Sequence, residues 1–158
     1  MNRQSALTLL EVLVVVTILA IVMIISIPSM IAAKKHANEG AAVAALKVIQ
    51  SEQTFYREKD LDQNGLNDYG TLNQLSTAGV LDAILGTGSK QGYRFQAGPS
   101  TITSENLWFA LANPAIPGST GDRYFMTNHT GVIYFTSGVA PALNTTDCKM
   151  PAGSTPVN

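Results

Sequence analysis

The chain opens with a long apolar run that contains no charged side chain. Residues 12–33 are 22 consecutive positions without Asp, Glu, Lys or Arg. As an α-helix, such a run would be roughly 33 Å long, which is close to the hydrocarbon thickness of a bilayer. A secretory signal peptide would have an apolar core of only about 7–15 residues. The run therefore predicts a membrane-spanning helix, and a plain signal anchor fits its length.

After residue 33 the pattern takes on a helical period. Lys34, Lys35 and His36 mark the predicted membrane boundary, and we expect His36 to be solvated rather than a metal ligand. Residues 35–58 predict an amphipathic helix, which would make one helix over about residues 7–58. Its expected apolar face consists of Ala41, Ala44, Ala45, Val48 and Phe55, and its expected surface residues are Glu39, Lys47, Glu52 and Arg57.

The rest of the chain predicts a small head in which helix precedes sheet. Residues 59–86 predict an acidic turn and then a short helix over 71–85, which Gly79 could interrupt. Short aromatic-rich runs bounded by Gly, Pro and Asn predict an antiparallel sheet over 92–136, and a tail at 137–158 is expected to be irregular and exposed. The predicted class is α+β, with the long helix packed against this sheet. The four runs are Gly92–Gln96, Asn106–Ala112, Arg123–Thr127 and Val132–Thr136.

Charge and residue types argue against several functions. The net charge is −1 and the longest basic tract is Lys34-Lys35, so no nucleic-acid partner is evident. Cys148 is the single cysteine and is expected to be a buried or idle thiol, with a bond to another chain as the alternative. Because His129 falls at a turn tip and the chain shows neither a phosphate loop nor a carboxylate pair in an evident cleft, we expect no enzyme. The aromatic residues expected in the core rather than in a base-stacking surface are Trp108, Phe109, Tyr124 and Phe125.

One acidic segment suggests a metal ion. Residues 60–68 have the D-x-D-x-N-G-x-x-D spacing of the first part of an EF-hand calcium loop, but Thr71 stands where a full loop has its bidentate Glu. The alternative is an Asn-Gly turn with solvated acids. Calcium is thus the one cofactor that the sequence suggests, with Asp60, Asp62, Asn64 and Asp68 as its candidate ligands.

Glu11 lies at the edge of the apolar run. A carboxylate within lipid is costly and usually faces a partner, whereas at the membrane surface the first helical turn would stabilise it. The surrounding segment Ser5-Ala6-Leu7-Thr8-Leu9-Leu10-Glu11 resembles the processing site of type IV prepilins and type II secretion pseudopilins. Pro28 lies seventeen residues beyond Glu11, where many pilins have a helix-bending proline. The family usually has Gly and Phe at the positions of Ala6 and Leu7, and both replacements keep the size class.

The resemblance implies a division of the chain and a processing step. Residues 1–6 would be a leader, 7–34 a transmembrane and assembly helix, and 35–158 a globular pilin head. A prepilin peptidase would cut between Ala6 and Leu7, and Leu7 would then be N-methylated. Glu11 would pair with the Leu7 amine of a neighbouring subunit, and Pro28 would bend or locally melt the helix so that helices can pack.

The implied function is that of a structural filament subunit. Its partners would be copies of itself, related pilins, the prepilin peptidase, the inner-membrane assembly platform and, before assembly, membrane lipid. The subunit would cross the inner membrane once, with its head outside the cytoplasm, and then enter an extracellular or periplasmic filament. A pseudopilin of a type II secretion or DNA-uptake system is the alternative within the family, and a monomeric signal-anchored periplasmic domain is the alternative outside it.

Overall fold

A single long helix begins the structure. The computed structural model describes residues 8–157, and helix α1 spans Leu9–Lys59, or 51 residues. The chain divides into two compact units, one up to Lys34 and one from Lys35 to Asn158, so α1 contributes to both. The helix predicted over residues 7–58 agrees with α1 at its C-terminal end, while Ala6 and Leu7 lie outside the described residues.

The second unit, called the head below, is built on an antiparallel sheet whose strands follow one another in chain order. The four predicted runs correspond to its central strands, and the predicted α+β class is confirmed. The two edge strands have two residues each, and strands this short show no periodicity from which they could be predicted. The strands are β1 Ser89–Lys90, β2 Tyr93–Pro99, β3 Trp108–Pro114, β4 Arg123–Asn128, β5 Ile133–Ser137 and β6 Thr155–Pro156.

Two short helices replace the single one predicted over residues 71–85. Helix α2 spans Leu72–Thr77 and begins with a capping box, in which Thr71 and Gln74 each bond the other's backbone N–H. Gly79 then adopts a φ of 76°, which ends the helical path at the expected break. Helix α3 spans Ala83–Gly86 and is capped by the carboxylate of Asp82.

The face that α1 buries against the sheet differs from the predicted one, of which Ala45 alone is buried. Its buried apolar residues join the core with Tyr93, Trp108 and Phe125 of the sheet. Val48 and Phe55, expected in the core, are each 45% exposed. Ala44 is exposed as well, whereas Glu39, expected at the surface, is buried. The buried positions of α1 are Glu39, Ala42, Ala45, Leu46, Ile49, Gln53 and Tyr56.

The tail is mostly exposed, as expected, but part of it covers the sheet's outer face. Phe109 and Met126 point away from the α1 side of the sheet but are buried. The Asn128 side chain donates to the carbonyl of Cys148 at 2.7 Å, and the N–H of Thr101 donates to that of Thr145 at 3.2 Å. The segment is irregular, as expected, but it is tied to the head before it ends in β6.

The Cys148 thiol is fully buried within this tail. Burial, followed by the negative charge of Asp147, raises the pKa of the thiol. The prediction of a buried thiol is therefore confirmed, and a thiol without solvent access does not reach a second chain in the folded head. His129 is exposed and the four aromatic residues predicted for the interior are buried, also as expected.

A partly buried ion pair, in which the Arg123 side chain is 37% exposed, fixes the beginning of the head's helix to the sheet. The Glu39 carboxylate is only 3% exposed and lies 2.8 Å from a terminal guanidinium nitrogen of Arg123. Its other oxygen accepts the backbone N–H groups of Asp122 and Arg123 at 2.9 and 3.2 Å. Burial alone would raise the pKa of Glu39, but these hydrogen bonds and the positive charge of Arg123 together outweigh it and lower the pKa. The guanidinium also lies over the rings of Phe125 and Phe135.

We expect Glu39→Gln to destabilise the head by about 2–3 kcal/mol at pH 7, because it leaves Arg123 without its counter-charge. The folded-state pKa of Glu39 lies below its unfolded value, so the carboxylate stabilises the head above about pH 4 and loses this effect as the pH falls through the folded pKa. Denaturant unfolding of the Lys35–Asn158 fragment measures the destabilisation at pH 7 and its loss at pH 3. Glu58→Gln, which changes an exposed glutamate of the same helix, is the control, and equal stability of the two variants at pH 7 would contradict the role of the pair.

Candidate membrane and assembly surfaces

The N-terminal unit is an apolar helix whose described surface is not covered by the rest of the chain. Its most apolar 18-residue window has a mean hydropathy of 3.0, and none of that window is buried. Between Leu9 and Ile31 the exposed large apolar side chains present 46 to 87% of their full surface. Among residues 8–157, α1 is the one helix long and apolar enough to cross a membrane. So much exposed apolar area is stable only in lipid or against other protein surfaces.

The hydroxyl groups within this helix donate hydrogen bonds to backbone carbonyls of the same helix. Thr17 donates to the carbonyl of Leu13 at 2.7 Å, and Ser26 donates to that of Val22 at 2.8 Å. Ser29 donates to the Ser26 carbonyl at 3.1 Å. Since each hydroxyl already has a backbone acceptor, the segment can enter lipid without an orphaned side-chain donor.

Thr8 caps the helix, a role that the sequence analysis missed. Its hydroxyl oxygen accepts the backbone N–H of Glu11 at 3.2 Å, and its carbonyl accepts that of Val12 at 3.3 Å. The T-x-x-E pattern of Thr8-Leu9-Leu10-Glu11 is that of a capping box and was the available signal. The cap sets Glu11 in the first turn, exposed, where the helix dipole favours a negative charge.

Pro28 lies within α1 without ending it. The helix runs unbroken from Leu9 to Lys59, so a locally melted turn is not seen at this position. Pro28 has no N–H to offer to the carbonyl one turn earlier, which removes one hydrogen bond from the ladder. A bend at Pro28 for helix packing stays a prediction.

In the head, α1 also leaves an uncharged strip exposed. These residues, called the helix stripe, are small or apolar and recur every three or four positions. They fall opposite Leu46 and Ile49, because a helix has about 3.6 residues per turn. A Cβ added to Gly40 would meet no atom within 4 Å, so the chain's own packing does not require glycine there. The helix stripe is Ala37, Gly40, Ala44, Val48, Ser51 and Phe55.

The acidic turn after α1 is held together by its own side chains. Asp60 accepts the backbone N–H groups of Asn64 and Gly65 at 3.1 and 3.0 Å. Asn64 donates from its amide to Asp62 at 2.9 Å and accepts the N–H of Leu66 at 2.7 Å. Three of the four candidate calcium ligands therefore stabilise the turn itself. In the described part of the chain, no group of three or more His, Cys, Asp or Glu side chains is arranged to hold a metal ion.

The negative charges of these acids also act on a buried phenol. Tyr56 is 2% exposed, and its burial, followed by the negative charges of Asp62, Asp68 and Asp60, raises its pKa. One carboxylate oxygen of Asp68 is buried without a hydrogen-bond partner.

Comparison with known families gives one match. Residues 1–27 match the family model described as the prokaryotic N-terminal methylation motif. The matched range contains Ala6, Leu7 and Glu11 and ends just before Pro28. Comparisons with curated proteins and with solved structures gave no match.

Calcium binding by the acidic turn stays a prediction and can be tested by calorimetry on the Lys35–Asn158 fragment. With no Glu at the twelfth loop position, we expect weak binding, with a Kd on the order of 0.1–1 mM. Asp62→Asn should weaken it further, whereas Asp147→Asn, which changes an acid in the tail, should not. If 10 mM calcium produces neither heat nor a rise in Tm, at roughly ten times that Kd or more, the residues form only a turn.

Proposed function

We propose that this chain, which carries the N-terminal signature of type IV pilins and pseudopilins, is a structural subunit of a type IV pilus-like filament. The observation that carries the proposal is the exposed apolar half of α1, which continues directly into a helix packed in a pilin-like α+β head. The N-terminal motif points to a structural subunit rather than an enzyme.

Before assembly, the apolar half of α1 anchors the subunit in the inner membrane as a single span, with the head outside the cytoplasm. Lipid tails cover the exposed apolar side chains, and Thr17, Ser26 and Ser29 already have backbone acceptors. Lys34 and Lys35 follow the span and suit the headgroup region, where long cationic side chains can extend to water.

During assembly, copies of the chain and related pilins replace lipid around the same surface. The helix stripe extends this packing into the head, because small residues allow a neighbouring helix to approach closely. Gly40 supports this role. Glycine in a helix interior costs about 1 kcal/mol relative to alanine, and nothing in the chain's own packing requires it. The prepilin peptidase and the inner-membrane assembly platform are the further partners of this process.

Within the filament, Glu11 pairs with the amine of Leu7 in a neighbouring subunit. Cleavage after Ala6 creates that amine. The Thr8 cap holds Glu11 in the first turn, close in sequence to the new terminus. A charge pair between packed helices pays a large desolvation cost, so it contributes to axial register more than to net stability.

A pseudopilin of a secretion system is the second candidate. The single cysteine excludes the disulfide-closed C-terminal loop of many adhesive pilins, and the tail is instead held through Asn128 and Thr101. The filament mechanism is the same for both candidates. Tracing this chain in filaments from the producing cell by cryo-EM would distinguish them, and a monomeric anchored domain would not appear in any filament.

Cleavage between Ala6 and Leu7 is tested by intact-mass analysis of the native protein. We expect the chain to begin at Leu7, with the mass of one added methyl group. A native chain that begins at Met1, or one that is cut beyond Ala33, would contradict prepilin processing.

Glu11→Ala and Glu11→Gln should separate insertion from assembly. Breaking a buried charge pair costs roughly 3–5 kcal/mol, a factor of more than about 100 in an assembly equilibrium. Insertion should survive because residues 12–33 are unchanged. We therefore expect normal subunit levels in the membrane fraction but few or no filaments in the sheared extracellular fraction.

The control is Glu58→Gln, which removes an exposed carboxylate at the other end of α1 and should assemble normally. Glu11→Gln should be nearly as damaging as Glu11→Ala, because it keeps the shape but loses the charge. Wild-type filament yields from both Glu11 variants would show that this carboxylate is not an assembly contact.

A further inference from the structure

The tail leaves the sheet at the end of β5 and later returns to the same strand. β5 ends at Ser137, and β6 pairs with Tyr134 and Phe135 of β5. The segment between β5 and β6, residues 138–154, is called the strap below. Because both ends of the strap are attached to β5, the strap can lift from the head without separating any pair of strands.

The strap buries little of its own surface. Within residues 138–154, all of which the structure describes, Cys148 alone is buried, and the other side chains are partly or fully exposed. On the outer face of the sheet, Phe109 and Met126 are buried. A segment with so few buried side chains opens at a lower free energy than the core to which it is attached.

Three of the strap's hydrogen bonds to the head lie close together, over residues 145–148, and are called the clasp below. In each of them a strap carbonyl accepts from a group of the head. The donors are the N–H of Thr101 to residue 145 at 3.2 Å, the hydroxyl of Ser100 to residue 146 at 2.5 Å and the side-chain amide of Asn128 to residue 148 at 2.7 Å. The clasp is therefore one local attachment rather than a row of bonds along the strap.

The backbone is strained at the end of the clasp. Cys148 has a φ of 50°, which lies in the left-handed region that side chains other than glycine rarely adopt. Its N–H donates to the carbonyl of Asn144 at 3.0 Å, so a turn within the strap accompanies this conformation. The closed strap therefore contains backbone strain that opening can relieve.

We propose that the strap opens and closes as a unit while the rest of the head stays folded. The open head is a second state, in which the Cys148 thiol reaches solvent and the outer face of the sheet is uncovered. The attachment of both ends to β5, the single clasp and the one buried side chain carry the proposal. Opening concerns the head alone, so it depends neither on membrane anchoring nor on filament assembly.

The reaction of Cys148 with an aromatic disulfide reagent (DTNB) measures this opening in the full chain in detergent micelles. The cysteine thiolate forms a bond to one sulfur of the reagent, the reagent's S–S bond breaks, and the coloured thiolate that leaves is counted. Ala110→Cys in a Cys148→Ala background is the matched control, because Ala110 is 0% exposed on the central strand β3. It can react only when the sheet itself separates.

Each rate is divided by the rate of the same chain when fully unfolded. We then expect Cys148 to react at least about 100-fold faster than the Ala110→Cys probe. Its rate should also rise less steeply with urea, because strap opening exposes less surface than unfolding of the head. Equal urea dependence of the two rates would mean that the strap opens only with the whole head, and would overturn the proposal.

A core substitution separates the strap from the interior. Ile49→Val removes one methylene from a fully buried side chain of α1, so it should accelerate labelling of the Ala110→Cys probe about three- to ten-fold. Labelling of Cys148 should stay unchanged, because the core is intact in both the closed and the open state. Acceleration of both probes by the same factor would contradict independent opening.

A clasp substitution should act on Cys148. Asn128→Asp removes the amide that donates to the Cys148 carbonyl but keeps the Oδ1 atom that accepts the N–H of Thr130. We expect it to accelerate Cys148 labelling about ten-fold. Asn73→Asp, the same change at an exposed position of α2, should leave the rate unchanged. An unchanged rate in Asn128→Asp would show that the clasp does not hold the strap closed.

Discussion

The ion pair between Glu39 and Arg123 is the interaction on which the arrangement of the head depends. It lies where α1 first meets the sheet, and the same carboxylate accepts the N–H groups that begin β4. C-terminal to it, Leu46, Ile49 and Tyr56 pack into the core. N-terminal to it, between Leu9 and Ile31, the large apolar side chains whose exposure the structure describes are exposed. One continuous helix therefore consists of a part stabilised by its own sheet and a part that needs lipid or other subunits.

Much of the fold could be predicted because its strongest signals are local. A charge-free run of bilayer length and four aromatic strands are visible in the sequence, and both correspond to elements of the structure. The buried face of α1 was misassigned because an alanine-rich helix has little polar contrast between its sides. The burial of Glu39 depends on a residue 84 positions away, and no helical period can indicate such a partner. The same holds for the tail, whose position depends on Asn128 of β4 and on Thr101 in the connection between β2 and β3.

Some features of the candidate surfaces could likewise be predicted from the sequence, and others could not. The N-terminal motif is contiguous and could be read directly, and the family match covers it. The helix stripe was hidden by the interpretation of Val48 and Phe55 as core residues. The acidic spacing predicted ligands, but the spacing is equally that of a turn in which Asp60 and Asn64 bond the backbone. The sequence gives the order of the candidate ligand side chains, whereas the directions in which their oxygen atoms point depend on the backbone path.

The closure of the tail over the sheet has a consequence for how the head matures. Its one cysteine is buried, and hydrogen bonds from Asn128 and Thr101, together with β6, hold the segment in place. No oxidation step and no thiol oxidoreductase is needed to complete this head. Its folding is therefore insensitive to the redox state of the compartment, and a reducing medium should yield the same native head as an oxidising one.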